Sequence, residues 1–198
     1  MNKRALLAIP LALLISNGAQ AQEWYWGLSY GVASTTSDTK DFIDDTSWRN
    51  WGLDILARVK PNTAVGMYFG WNVFNDITQE VSTVNNAQIG GTQYRYINSF
   101  PMLLTVRQFM GDPGGMRFFV GGGVGAQYDK NRVDVGQWRI EDNQWHFAVA
   151  PEIGVILPLQ SDAKWFVNAK YDYAFKAADR TRSYFQLNIG VAWQTGGF

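Results

Sequence analysis

The sequence predicts an all-β fold, an eight-stranded antiparallel up-and-down transmembrane β-barrel. Three observations lead to this prediction. Apolar residues alternate with small or polar ones, short turns alternate with long polar connections, and aromatic residues gather at the ends of the alternating segments. Segments of ~10 alternating residues separated by turn residues are typical of strands that cross a membrane.

The first 21 residues are predicted to be a Sec signal peptide rather than part of the fold. Lys3 and Arg4 precede a short apolar run over 5–15, and the small residues Ala19 and Ala21 end the segment. An N-terminal anchor helix is the alternative, but this run is well short of the ~20 apolar residues that a spanning helix needs. We therefore expect export, cleavage before Gln22, and one barrel domain over 22–198.

The composition excludes two classes of function. The chain has 17 basic and 17 acidic side chains and no Cys. A nucleic-acid-binding protein would show a basic stripe, so no nucleic-acid partner is expected. Disulfides and thiol chemistry are excluded for lack of cysteine.

Eight segments with period-two alternation follow the predicted signal peptide. They cover 23–34, 48–60, 63–74, 92–110, 116–129, 144–159, 164–175 and 183–194. In the last of them, the large apolar residues Leu187, Ile189 and Val191 alternate with Asn188 and Gly190. A soluble β-sandwich is the alternative fold, but its second face would be rich in Lys and Glu. The small, sparsely charged second face seen here favours the crowded interior of a narrow barrel.

Short and long connections alternate strictly along the chain. The short ones, 60–62, 111–115 and 160–163, contain Pro, Gly or Asp and are typical of tight turns. The long polar ones are 35–47, 75–91, 130–143 and 176–182. Because outer-membrane barrels have short periplasmic turns and longer outer loops, we expect these four long segments outside the cell.

Aromatic residues are expected to form two belts at headgroup depth, since amphipathic rings prefer that position. The belt at the short-turn end would contain Trp24, Trp26, Phe118, Trp165 and Trp193. The outer belt would contain Trp51, Trp71, Tyr94, Tyr128, Trp145, Tyr173 and Phe185.

Several segments resemble the small outer-membrane β-barrel superfamily that holds OmpA-, OmpX- and OmpW-like barrels. They are FFVGGGVGAQYD (118–129), APEIGVILPL (150–159) and QLNIGVAWQ (186–194). The end of the chain, with Trp193 and the C-terminal Phe198, resembles the signal by which such proteins are recognised for insertion. The resemblance implies a Gram-negative outer-membrane location, contact with membrane lipid and lipopolysaccharide, and insertion by the barrel-assembly machinery. We expect a monomer.

Charged side chains on the inward-facing positions are the candidate site. They are Asp54, Arg58, Arg95, Arg107, Arg117, Glu152, Lys170 and Asp172. Buried charges must be paired and hydrogen-bonded, so an ion-pair network that fills the lumen is expected. A constricted path for a small solute is the alternative. The glycines of GGGVG (121–125) lie within a strand and not before a helix, so they are expected to make room for bulky neighbours rather than to bind phosphate.

No catalytic, cofactor or metal site is expected. His146 is the only histidine and has no Ser two residues later, which a lipid A deacylase would require. One His is also a poor basis for a transition-metal site. The acidic segment with Asp38, Asp41, Asp44 and Asp45 does not have the spacing of a helix–loop–helix calcium site. It is expected to be a solvated loop.

The sequence therefore favours a structural or surface-interaction barrel with a packed polar lumen, of the OmpX type. A narrow channel for small, hydrophobic solutes, of the OmpW type, is the second interpretation. A lipid-modifying enzyme is the third and least favoured.

Overall fold

A computed structural model of the protein describes residues 23–84, 87–112, 114–159, 163–177 and 180–195. The predicted signal peptide and Phe198 lie outside the described residues. One short helix, α1 (Ser37–Phe42), accompanies eight strands. The strands are β1 (Trp24–Thr35), β2 (Thr46–Lys60), β3 (Thr63–Val84), β4 (Ala87–Met110), β5 (Arg117–Val135), β6 (Trp138–Pro158), β7 (Ala163–Ala177) and β8 (Arg180–Thr195).

The eight strands form one closed antiparallel barrel, in which each strand pairs with its neighbours in sequence. β1 and β8 close it with an unbroken register from Trp24 opposite Thr195 to Thr35 opposite Tyr184. Closure pairs the backbone of both terminal strands, which a lipid environment requires because it offers no water to free N–H and C=O groups. The predicted fold class is confirmed.

Four strands are longer at their outer ends than predicted. β3 continues to Val84 and β4 begins at Ala87, so most of the expected loop 75–91 is a hairpin. The expected loop 130–143 is likewise largely strand, with Val135 opposite Trp138. Beyond the membrane both faces of a strand meet water, so the apolar–polar alternation ends while the backbone ladder continues. The predicted outer ends of these strands are therefore wrong, because the end of the alternation was taken as the end of the strand.

The expected loop 35–47 contains α1, which lies against the start of β8. The backbone N–H of Thr36 bonds to the carbonyl of Ser183 at 3.0 Å, and the N–H of Ser183 bonds to Oγ1 of Thr39 at 2.8 Å. The residue after the helix, Ile43, is fully buried in the outer part of the lumen. This segment is therefore a folded cap over the outer opening of the barrel. Helix α1 is far too short and too polar to cross a membrane.

Side chains along the strands alternate between the lumen and the outer surface. In β8, Gln186 and Asn188 are buried, whereas Leu187 and Ile189 are 48% and 52% exposed. This is the reverse of a water-soluble sheet, because the outward face contacts lipid. The aromatic residues of both predicted belts lie on this outward face, but Tyr94 is not at the depth of the outer belt. It lies opposite Ile77, six residues along β3 from Trp71, on the part of the sheet beyond the membrane. At the short-turn end Trp26 is opposite Trp193, and at the outer end Trp51 is opposite Trp71.

Candidate functional site

A cluster of four charged side chains lies at the centre of the lumen. Nε of Arg107 donates to Oε1 of Glu152 at 2.5 Å, and its Nη2 donates to Oε2 of the same carboxylate at 3.0 Å. The same Nη2 also donates to Oδ1 of Asp54 at 2.8 Å. On the other side of Glu152, Nζ of Lys170 lies 3.8 Å from Oε2. All four residues are buried, so each charge is balanced within the barrel.

Gly121 makes this cluster possible. It pairs with Arg107 on one side and with Glu152 on the other. A Cβ at Gly121 would lie 3.0 Å from Cγ of Arg107 and 3.2 Å from Oε1 of Glu152. The first glycine of GGGVG therefore leaves the space in which the two long side chains meet.

Lys170 and Asp172 extend the cluster along β7. Nζ of Lys170 lies 3.0 Å from the centroid of the Tyr68 ring, a cation–π contact in a buried layer. Oδ2 of Asp172 accepts a hydrogen bond from Gln186 at 2.5 Å. Asn168 donates to Glu152 at 3.0 Å. The central polar layer thus draws its side chains from six of the eight strands, all but β1 and β5.

A second polar cluster lies nearer the outer end, around Asp129. Its carboxylate accepts a hydrogen bond from Gln127 at 2.9 Å and lies 3.4 Å from Nε2 of His146. Nη2 of Arg182 donates to Oδ1 of Asn131 at 2.8 Å, while its Nε lies 3.8 Å from Asp129. Asp129, Asn131 and Arg182 were not among the predicted lumen residues. The predicted fifth strand ended at Asp129, and the predicted eighth strand began directly after Arg182. The period-two parity of β5, continued from Arg117, would have placed Asp129 and Asn131 inward.

Two apolar layers separate these polar clusters from the ends of the barrel. The layer toward the short turns is built from Tyr25, Leu56, Ala64, Phe109, Phe119 and Ile156. The layer beneath α1 is built from Ala33, Phe42, Ile43, Phe74, Ile97 and Tyr184. The prediction of a polar lumen therefore holds for the middle of the barrel but not for its ends, where apolar layers that include aromatic rings lie on either side of the polar clusters.

The remaining predicted lumen residues lie at the two ends. Arg95 is at the outer end, where it donates to the carbonyl of Phe42 at 3.2 Å. Arg58 and Arg117 are at the short-turn end, with Arg58 paired to Glu23 at 2.6 Å. Trp193 lies on the outward face, 44% exposed. The eight predicted charges thus occupy three separate levels and do not form one network.

The lumen between the two ends is filled. The cavity beside Arg107, Phe109 and Phe119 has a volume of about 20 Å³. That is room for about one water molecule. His146 is buried, with Nδ1 2.9 Å from the carbonyl oxygen of Phe175, so its ring is held on the lumen side. Across the described ranges, no group of three or more His, Asp or Glu side chains is placed to hold a metal ion.

Solved outer-membrane barrels share this fold. A major outer membrane protein from Thermus thermophilus is 9% identical, with a TM-score of 0.60, over 89% of this chain and 100% of that one. Neisserial surface protein A is 10% identical, with a TM-score of 0.54, over 87% and 96%. OprG from Pseudomonas aeruginosa is 12% identical, with a TM-score of 0.52, over 88% and 96%. At such low identity these likenesses concern the fold alone.

The sequence itself matches a family model. No curated protein sequence matches the chain. The model described as the outer membrane protein beta-barrel domain matches residues 5–194, which is nearly the whole chain. The closed barrel, its lipid-facing apolar surface and this match agree: the chain belongs to the outer membrane protein beta-barrel domain family and is a protein of the outer membrane.

Proposed function

We propose that this protein is a non-conducting barrel that acts through the part of its sheet beyond the outer face of the membrane. The filled lumen supports the proposal that the barrel does not conduct. Arg107 bridges the lumen between Asp54 and Glu152, and the ring of Phe119 lies 4.9 Å from its guanidinium carbon. An eight-stranded barrel has an interior just wide enough for side chains, and here side chains occupy it.

A narrow channel is less well supported for the same reason. A solute would have to pass the apolar layer around Phe109, the charged layer around Arg107 and the cap formed by α1. Moving the Arg107 side chain would leave the carboxylates of Asp54 and Glu152 buried without their main partner, which costs several kcal/mol. A lipid-modifying enzyme is not supported either, because His146 is buried on the lumen side and does not reach lipid.

The surface proposed to bind a partner is the sheet formed by the outer parts of β3, β4, β5 and β6. From Trp71 in the outer belt, β3 continues to Val84, roughly 40 Å of strand at ~3.3 Å per residue. The tip of the β5–β6 hairpin carries Trp138, which is 67% exposed, beside a surface cavity of about 420 Å³ that includes Tyr94. Exposed Trp and Tyr in an aqueous setting are typical of sites that bind other macromolecules.

Conductance in planar lipid bilayers tests the first half of the proposal. The refolded protein is expected to give no reproducible current steps in concentrated potassium chloride, with a porin in the same membranes as the positive control. Discrete steps that scale with the amount of inserted protein would overturn the non-conducting assignment.

Adhesion tests the second half. A deletion strain complemented with the wild-type protein is expected to adhere to a cultured cell monolayer, and Trp138→Ser is expected to reduce this adhesion. Trp48→Ser is the matched control, because Trp48 is equally exposed, at 69%, but lies on β2 away from the hairpin tip. Equal adhesion by the deletion and complemented strains, or equal loss with both variants, would exclude this surface.

A further inference from the structure

The opening of the barrel at the short-turn end is lined by more positive than negative charge. Arg58, Arg117 and Lys164 lie there near the ends of β2, β5 and β7, and all three positions have lumen-facing parity. Lys164 is close enough to Arg117, Arg58 and Glu23 for its charge to interact with all three. Glu23 bonds to Arg58, at 2.6 Å, and among the described residues no other carboxylate is paired with this group. We call Arg58, Arg117 and Lys164 the mouth cations.

Arg117 is the unusual member of the three. The residue is only 3% exposed, yet its one hydrogen bond to a side chain is Nη2 to the amide oxygen of Asn62, at 2.9 Å. Its Nε is buried and has no hydrogen-bond partner within the part of the chain that the structure describes. A buried guanidinium is ordinarily paired with a carboxylate, because an unpaired buried charge is costly. Among the described side chains, Arg117 hydrogen-bonds only to a neutral one.

Lys164 is in a similar position. Its ammonium group donates to the amide oxygen of Gln194 at 3.4 Å, which is again a neutral acceptor. Among the described residues, Arg117 and Lys164 each donate a side-chain hydrogen bond only to an amide oxygen, and two neighbouring cations repel one another unless an anion lies between them.

Aromatic rings hold the mouth cations from below. The guanidinium carbon of Arg117 lies 5.0 Å from the centroid of Phe109, and that of Arg58 lies 5.4 Å from the centroid of Tyr25. These rings belong to the apolar layer that closes the lumen at this end. The mouth cations therefore lie over an apolar layer that closes the lumen beneath them.

We propose that the mouth cations form a binding site for one oxyanion group, a phosphate or a carboxylate, presented from the aqueous compartment that the short turns face. A guanidinium can donate two parallel hydrogen bonds to a phosphate or a carboxylate, and a nearby ammonium group adds a third donor. The ligand comes from water rather than from the lipid phase, because the mouth cations lie at lumen-facing positions and not at the outward-facing ones.

Calorimetric titration of the refolded full chain in a non-ionic detergent tests this site, with inorganic phosphate and then tetraglutamate as probes. The wild-type protein is expected to bind at least one of them with a stoichiometry of one. Arg117→Gln and Lys164→Gln are each expected to weaken binding about tenfold, the loss of one charge-assisted hydrogen bond. Lys60→Gln is the matched control, because Lys60 is an exposed cation at the same end of the barrel.

Three outcomes would overturn the proposal. The first is that neither probe binds. The second is that Lys60→Gln weakens binding as much as the two mouth variants do, which would indicate non-specific electrostatic attraction of the anion to this end of the barrel. The third is that lipid already occupies the site. The last is checked in phosphatidylcholine vesicles with and without phosphatidylglycerol. Unchanged affinity supports a ligand from water, whereas affinity lowered by the anionic lipid contradicts it. Because two variants are used, a folding defect in one of them does not prevent a result.

Discussion

Glu152 accepts two hydrogen bonds from one guanidinium, that of Arg107, at 2.5 and 3.0 Å across the centre of the barrel. The two residues lie on different strands that are not neighbours, and β5 passes between them. Lys170, on the far side, is a weaker partner, at 3.8 Å. Through this pair and its bond to Asp54, Arg107 connects β4 with β6 and β2 inside the lumen.

Removing one member of this pair should destabilise the barrel. We expect Glu152→Ala to lower the free energy of unfolding by about 3–5 kcal/mol, because it leaves Arg107 buried beside a single carboxylate. The double variant with Arg107→Ala should cost less than the two single changes together, by roughly 1–3 kcal/mol. Equilibrium unfolding in lipid vesicles measures these differences. The cycle of Glu152 with Lys170 is the control and should show weaker coupling; strict additivity for Arg107 would contradict the geometry.

A charge on the lipid face should be costly near the middle of the membrane. Ile189 lies on the outward face of β8, between Tyr30 of β1 and Val167 of β7. Ile189→Arg should cost about 2–4 kcal/mol, since the guanidinium must be transferred into hydrocarbon. Ile189→Val keeps the side chain apolar and is the control. If the arginine variant unfolds at the same denaturant concentration as the wild type, the assigned parity of β8 is wrong.

Glycines on the two faces should respond differently to an added methyl group. A Cβ at Gly190 would lie 2.5 Å from both Cζ of Phe166 and the backbone oxygen of Leu28. Gly190→Ala should therefore destabilise by about 1–3 kcal/mol through overpacking. Gly122→Ala is the matched control, because its nearest neighbour would be 3.5 Å away. If the two variants unfold at similar urea concentrations, the side chains around Phe166 can shift to accept the methyl group, and the expected overpacking is wrong.

Membrane orientation can be checked with a protease site. The chain should be cut on intact cells when a site is inserted at Gly136–Gln137, the turn of the β5–β6 hairpin. A site in the short turn 111–115 should stay protected until the outer membrane is opened. Long segments 35–47, 75–91, 130–143 and 176–182 are all expected on the accessible side. Cleavage only at 111–115 would show the opposite orientation.

Period-two alternation is a local property, which is why the sequence alone determined so much of the fold. Backbone geometry sends consecutive side chains of a strand to opposite faces, so the parity of Ile189 and Asn188 could be assigned without knowing any neighbour. Strand number, antiparallel order and the lipid-facing surface follow from that parity and from the turns. The resemblance of the segments to outer-membrane barrels pointed to the same family that the whole-chain match shows.

Only the tertiary structure decided which side chains meet. Parity turns Arg107, Arg117 and Lys170 inward alike, but the depth of each depends on the register between strands and on how they tilt when the barrel closes. Register placed Arg107 opposite Gly121 and Gly121 opposite Glu152. It left Arg117 at the short-turn end, hydrogen-bonded to the amide oxygen of Asn62. The burial of Ile43 beneath α1 also depends on the closed barrel, because a polar segment acquires an apolar contact only when the strands around it provide one.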